Sequence, residues 1–244
     1  MIKELPRMNL HVHSTYSDGK DSISKIIEKF SSLDLQYIAI TDHFSNSWKK
    51  DIIPTLNSAD KINRYLKEIS EARNQIEQNK TDLRILKGIE IDLGSSLQYI
   101  NRLITPSQFD VILFEYLETP ESIGFVKNLL KGWKRNFAQE KLPILGLAHF
   151  DPSNFIYGTL DLLITFLKDS QIYFEFNSRY SQYYSIKYKP FFEKLRKHKI
   201  PVAVGADSHS VKRLDDISEP LEMIGYYDLK SNYSHFLKNM EKRS

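Results

Sequence analysis

Seven histidines punctuate the chain, and five of them, His11, His13, His43, His149 and His209, stand at the ends of short apolar runs. Carboxylates gather at the same places: Asp18 and Asp42 early, then Glu90, Glu175 and Asp207. The sequence has no cysteine, which excludes thiolate nucleophiles, disulfides and sulfur-ligated metals. Imidazole and carboxylate together are the donors of Zn²⁺, Mn²⁺ or Fe²⁺. Five imidazoles with three or four carboxylates exceed the needs of a single ion, so two or three divalent ions are expected. Such ions lower the pKa of coordinated water to about 7 and neutralise charge developing on a phosphoryl oxygen.

The spacing supports shared targets. Residues i and i+2 of a strand point the same way. His11 and His13 therefore aim two imidazoles at one point, and Asp207 and His209 aim a carboxylate and an imidazole. Asp42 and His43 are adjacent and need a bend to converge; His43 is read as the ligand and Asp42 as an orienting or structural group. Glu90 and Asp92 share a face, with Glu90 nearer the strand. Asp18 sits in Ser-Asp-Gly, which is turn chemistry, yet His43 and His209 otherwise lack a carboxylate partner, so it is read as a ligand. Glu175 reads either as the partner that orients a ligand histidine or as a buried structural carboxylate. Arg179 is the candidate phosphate anchor, because a guanidinium holds phosphate in a fork; Lys212 and Arg213 are weaker candidates. Tyr180, Tyr183, Tyr184 and Tyr188 read as helix-surface packing in preference to a stacking platform, and His198 and His235 as packing residues.

These groups need elements to hold them. The apolar runs are Met8–Val12, Tyr37–Thr41, Ile85–Ile91, Val111–Phe114, Ile144–Ala148, Ile172–Phe176 and Val202–Gly205, each of strand length. Helical spacing fills the intervals. Ile23, Ile26, Ile27 and Phe30 recur at i, i+3, i+4 and i+7 behind Asp21 or Ser22 as cap. Ile62, Tyr65, Leu66, Ile69 and Ile76 repeat the pattern, as do Ile123, Val126, Leu130, Trp133 and Phe137, then Tyr188, Phe191, Phe192 and Leu195, and finally Leu229, Tyr233, Phe236, Leu237 and Met240. Repeated strand–helix units imply a parallel sheet covered by helices, either open or closed into a barrel. His-Val-His-Ser follows the first strand where a nucleotide-binding open sheet carries a Gly-rich loop, which favours the barrel. Strand ends of a parallel barrel converge on one face.

Hydrophobic residues make up 41% of the 244, enough for a sizeable core, and no linker interrupts them, so one domain over residues 1–244 is expected. The net charge of +3, from 34 basic and 31 acidic residues, is too slight to imply nucleic-acid or membrane binding. The first residues lack the apolar core of a signal peptide, and no apolar run reaches bilayer-spanning length, so a cytoplasmic protein is expected. Oligomeric state is not legible.

Five pieces appear in order: His11-Val-His13-Ser-Thr-Tyr-Ser-Asp18-Gly, Ile40-Thr-Asp42-His43, Gly88-Ile-Glu90, Ala148-His149 and Gly205-Ala-Asp207-Ser-His209. Together they resemble the PHP ("polymerase and histidinol phosphatase") family over residues 11–209. The resemblance implies an α/β fold, a distorted seven-stranded (β/α)7 barrel of TIM-barrel-like build, with a two- or three-metal site. By position His11, His13, Glu90 and Asp207 match the ligands of one metal; Glu90 bridges to a second with His149; Asp18, His43 and His209 match the third. One departure stands out. The family usually carries a histidine after the fourth strand, where this chain reads Phe109-Asp-Val-Ile-Leu-Phe-Glu-Tyr-Leu-Glu118. Glu115 shares a face with Val111 and Leu113 and is the candidate replacement ligand. The implied activity is a metal-dependent phosphoesterase in which metal-bound hydroxide attacks the phosphorus of a small phosphorylated substrate. A nucleotide or oligonucleotide is equally compatible. Two rivals follow: an amide or lactone hydrolase with the same centre, and a non-catalytic PHP module acting with a DNA polymerase.

Overall fold

A computed structural model describes residues 6–78, 82–138 and 142–242. Its strands are β1 (Met8–Val12), β2 (Tyr37–Ile40), β3 (His43–Phe44), β4 (Arg84–Asp92), β5 (Val111–Glu115), β6 (Ile144–Leu147), β7 (Ile172–Asn177) and β8 (Val202–Gly205). The helices between and after them are α1 (Ile23–Phe30), α2 (Ala59–Gln78), α3 (Leu97–Leu103), α4 (Pro120–Asn136), α5 (Leu160–Ser170), α6 (Lys189–Lys197), α7 (Ser218–Tyr226) and α8 (Lys230–Glu241). Seven strands run parallel in the order β1-β2-β4-β5-β6-β7-β8, and the two-residue β3 pairs with the C-terminal end of β4.

The sheet nearly closes into the expected barrel. His13 N–H donates to the Ser208 carbonyl at 2.9 Å, and Ser208 N–H donates to that of His11 at 3.1 Å, which joins β1 to the segment after β8. Asn9, buried, stitches the same seam. Its amide donates to the Leu214 carbonyl at 2.9 Å, and its side-chain oxygen accepts from Ala206 N–H at 3.0 Å. Strand alternation sorts the side chains. Tyr173, Glu175 and Asn177 of β7 share one face, while Phe174 and Phe176 meet Phe191 and Phe192 of α6 in a buried aromatic cluster. Each such ring contributes about 1.5–3 kcal/mol through burial.

Sequence and structure differ at several boundaries. β2 stops at Ile40, one residue early, and the chain resumes as β3; this is the bend that brings Asp42 and His43 to different partners. Ser22, not Asp21, caps α1, accepting from Lys25 N–H, whereas Asp21 accepts from Val211 N–H at 2.9 Å. Phe137, Tyr188 and Leu229 flank their helices as caps. Among the described residues no helix is long and apolar enough to cross a membrane.

Candidate metal centre

All eight residues expected as ligands meet at the C-terminal mouth of the barrel. His11 lies within β1 and His13 just beyond it. Glu90 is near the end of β4, directly across the ladder from His43 of β3. His149 and Asp207 follow β6 and β8 in the left-handed backbone region, at φ 25° and 45°. For residues with a Cβ this costs on the order of 1–3 kcal/mol. The abrupt turn keeps both side chains at the mouth, so the strain sits where the candidate ligands are.

Donor atoms face one another at ion-sharing distances. His11 Nε2 lies 3.3 Å from Glu90 Oε1, and His13 Nε2 lies 3.0 Å from Asp207 Oδ1. His149 Nε2 is 3.1 Å from Glu90 Oε1, and His43 Nδ1 is 2.7 Å from Glu90 Oε2. Asp18 places its oxygens 3.6 Å from His43 Nε2 and 3.0 Å from His209 Nε2. Four sets of ligand atoms each lie within 4.8 Å of one another: His11, His13 and Asp207; His11, Glu90 and His149; His13, Asp18, His43 and His209; and His43, Glu90 and Glu115. His13 thus sits between the first and third expected ligand sets. The fit to divalent ions can be read from what is left over. His11 Nε2, His13 Nε2, Asp18 Oδ1 and Glu90 Oε2 are buried without a hydrogen-bond partner. Orphaned polar atoms are costly unless something binds them, and each of these four belongs to at least one of the four ligand sets.

Behind the donors lies a set of orienting contacts. Glu175, fully buried, lies 3.0 and 3.1 Å from His11 Nδ1 with its two oxygens and accepts from His149 N–H at 2.7 Å. With the His11 proton on Nδ1, the Nε2 lone pair is free for an ion. Asp42 accepts from the Ser14 N–H and hydroxyl and from the Ser17 hydroxyl, the last at 2.6 Å. Ser17 Oγ in turn lies 3.4 Å from His13 Nδ1, so Asp42 acts on His13 through Ser17 rather than on its neighbour His43. His209 Nδ1 donates to the Asp207 carbonyl at 2.9 Å, leaving Nε2 toward Asp18. Asp92, the alternative to Glu90, is turned away and accepts from Ser45 and Ser47.

Burial and charge oppose one another throughout. Burial pulls His11 down, but Glu175, Glu90 and Asp207 carry it well above its ordinary 6.5. His43 is likewise pulled down by burial and pushed up to about 10 by Glu90 and Glu115. His13 falls to about 3 through burial and the neighbouring His43. Burial raises Glu90 and Asp207, yet the surrounding imidazoles hold both well below the usual carboxylate range. The centre thus pairs raised His11 and His43 with depressed carboxylates around a His13 whose burial keeps it neutral.

The model of the PHP domain family matches residues 9–242. The chain is a member of that family. The DNA polymerase/3′-5′ exonuclease PolX of Bacillus subtilis (strain 168) is 24% identical over 223 residues, covering 86% of this chain and 35% of PolX. This PHP chain therefore spans about a third of that relative's length. Two solved structures share the fold. Histidinol phosphate phosphatase of Lactococcus lactis, complexed with zinc, L-histidinol and phosphate, is 17% identical with a TM-score of 0.58, over 93% of this chain and 94% of its own. The metal-dependent tyrosine phosphatases YwqE of Bacillus subtilis and CpsB of Streptococcus pneumoniae form a second match, at 19% identity and TM-score 0.61 over 96% and 92%.

In this PHP barrel the mouth opens into a cavity of about 350 Å³ lined by Trp48, Lys49, Tyr116, Arg179, Tyr180 and Tyr183 among others. A hollow of about 790 Å³ at the other end of the barrel, by Arg84, Asp110 and Ile144, adjoins none of the four ligand sets. Arg179 Nη1 lies 3.0 Å from Asp207 Oδ2, with the side chain 42% exposed at the rim. Tyr180 stacks on Tyr183 and lies 4.7 Å from the His149 ring; Tyr184 is buried, its hydroxyl accepting from Asn177 N–H. Tyr180, Tyr183 and Tyr184 are thus mouth and core residues, not helix-surface packing, whereas Tyr188 caps α6 and packs against the core as expected. His235 is exposed, 3.1 Å from Asn239, and is not a packing residue. Sequence reasoning passed over Lys49. It is flanked by Trp48 and Lys50 with no motif around it, and yet it is buried, its Nζ 2.6 Å from both Glu115 oxygens. Glu115 therefore reaches the centre, 3.4 Å from His43 Nδ1, already paired.

Proposed function

We propose that this PHP chain, acting as one domain, is a metal-dependent phosphoesterase that hydrolyses a phosphomonoester or phosphodiester. The observation that carries the reading is the gathering of histidine and carboxylate donors, four of them buried and without a hydrogen-bond partner, in four overlapping ligand sets at the barrel mouth. His11, His13, Glu90 and Asp207 would hold one ion, Glu90 and His149 a second, and Asp18, His43 and His209 a third, giving two or three in all. Ions bound there would polarise a phosphoryl oxygen and bring the pKa of coordinated water to about 7, supplying hydroxide at neutral pH. Glu175 holds the proton of His11 on Nδ1, and Asp42 fixes His13 through Ser17. Arg179, at the rim and half exposed, exchanges its contact with Asp207 for a phosphate oxygen and positions the substrate. The aromatic walls of the cavity suit a small substrate with a flat, ring-bearing portion, a nucleotide included. The zinc, L-histidinol and phosphate of one structural neighbour, and the metal-dependent phosphatase chemistry of the other, support the reading.

The test is phosphate release from p-nitrophenyl phosphate, bis-p-nitrophenyl phosphate and a panel of phosphorylated metabolites, with Mn²⁺ or Zn²⁺. Release that disappears with chelator is expected; no release with any divalent ion removes the proposal. The PolX match favours one second reading, a PHP module working beside a DNA polymerase. It predicts co-elution with a polymerase and primed DNA on gel filtration.

A further inference from the structure

Arg179 leans on Asp207 of one ligand set and on His209 of another, but it does so from the half-exposed rim of the mouth. His43, Glu90 and Glu115 lie as close to one another as the other sets do. There, however, a cation is already in place. Lys49 comes from the short turn Trp48–Asp51, whose Ser47 cap is tied down by Asp92. Its neighbours Trp48 and Ile52 are 60% and 71% exposed, whereas Lys49 itself is 7% exposed and turned inward. The ammonium donates to both oxygens of Glu115 at 2.6 Å, lies 3.2 Å from His43 Nδ1 and sits 5.1 Å above the Tyr116 ring.

An ion bound to Glu115 would stand roughly 2.0–2.2 Å from the same oxygens, within contact of Nζ, and two cations cannot share that space. Glu115, 1% exposed, cannot be left uncompensated either. We infer that the Lys49 ammonium is a resident cation, taking the place of a divalent ion in the His43–Glu90–Glu115 set and limiting the chain to the other three. The inference rests on the metal-dependent reading above and concerns only how many ions that centre takes.

Equilibrium dialysis against Mn²⁺ followed by elemental analysis measures it. Lys49→Met is expected to bind about one more ion per chain than the unaltered protein. Lys49→Arg, which keeps the charge, and Lys49→Met with Glu115→Gln are expected to return to the original number. Anomalous scattering from Mn²⁺-soaked crystals of the unaltered chain tests the same point without any variant, and no peak is expected between Glu115 and His43. A peak there overturns the inference, as does a Lys49→Met protein that binds Mn²⁺ in the original number. If the unaltered chain binds no Mn²⁺ at all, the metal-dependent reading falls, and this inference falls with it.

Discussion

Glu175 lies behind the candidate donors, and two candidate ligand histidines are held by it. It faces His11 Nδ1 with both oxygens and takes the His149 backbone N–H, tying the ends of β1, β6 and β7 together. A carboxylate in that place sets the tautomer and raises the basicity of the ligand nitrogen. Glu175→Gln keeps the shape and loses the charge. Metal affinity is expected to weaken by about 10–100-fold, read by competition with a chromophoric chelator. An unchanged affinity would reduce Glu175 to a structural carboxylate.

At the scale of elements, the centre depends on how closely strands approach at the mouth. Gly205 ends β8 where a Cβ would fall 1.9 Å from Glu175 Oε1 and 2.7 Å from His11 Cβ. Neither neighbour retreats easily: Glu175 sits on β7, paired on both sides, and His11 on β1, paired with β2 and hydrogen-bonded to the segment after β8. Gly205→Ala is expected to lower stability by about 1–3 kcal/mol in urea melts and to weaken metal binding with it. Gly124, inside α4 with nothing within 4 Å of its would-be Cβ, is the contrast. Gly124→Ala should stabilise by about 0.5–1 kcal/mol and leave metal binding alone.

For the whole molecule, ions and protons compete for the same imidazoles. Without metal, His43 is raised from 6.5 to about 10, so its contribution is complete below 6.5 and lost as pH rises through about 10. Glu90 and Asp207 are depressed, so theirs is present above the ordinary carboxylate range and lost on acidification. The chelated protein should therefore melt at falling temperature between pH 6.5 and about 10. Metal binding displaces imidazolium protons and tightens over that interval. At a fixed, saturating concentration of divalent ion, each tenfold tightening should add about 1.4 kcal/mol, so the gap in Tm between loaded and chelated protein widens with pH. Scanning calorimetry with and without EDTA reads both trends, and a constant gap would contradict them.

Much of this was legible from the chain alone. Seven apolar runs at strand length and the i, i+2 pairs His11/His13 and Asp207/His209 depend only on local periodicity, which a single strand expresses by itself. The barrel, the mouth and the eight candidate ligands follow from that pattern and the family motifs. Tertiary structure decided what depends on partners far apart in sequence. Asn9 closes the seam with residues after β8, Asp42 acts through Ser17 on His13, and Glu175 reaches His11 across the barrel. Lys49 is the sharpest case: in sequence it is one lysine among surface lysines, and only the packing of its turn against β5 removes it from water and sets its charge on Glu115. A residue's type states which interactions it is capable of; which one it makes is set by the neighbours that folding supplies, because burial and Coulomb energy depend on distance through space and not along the chain.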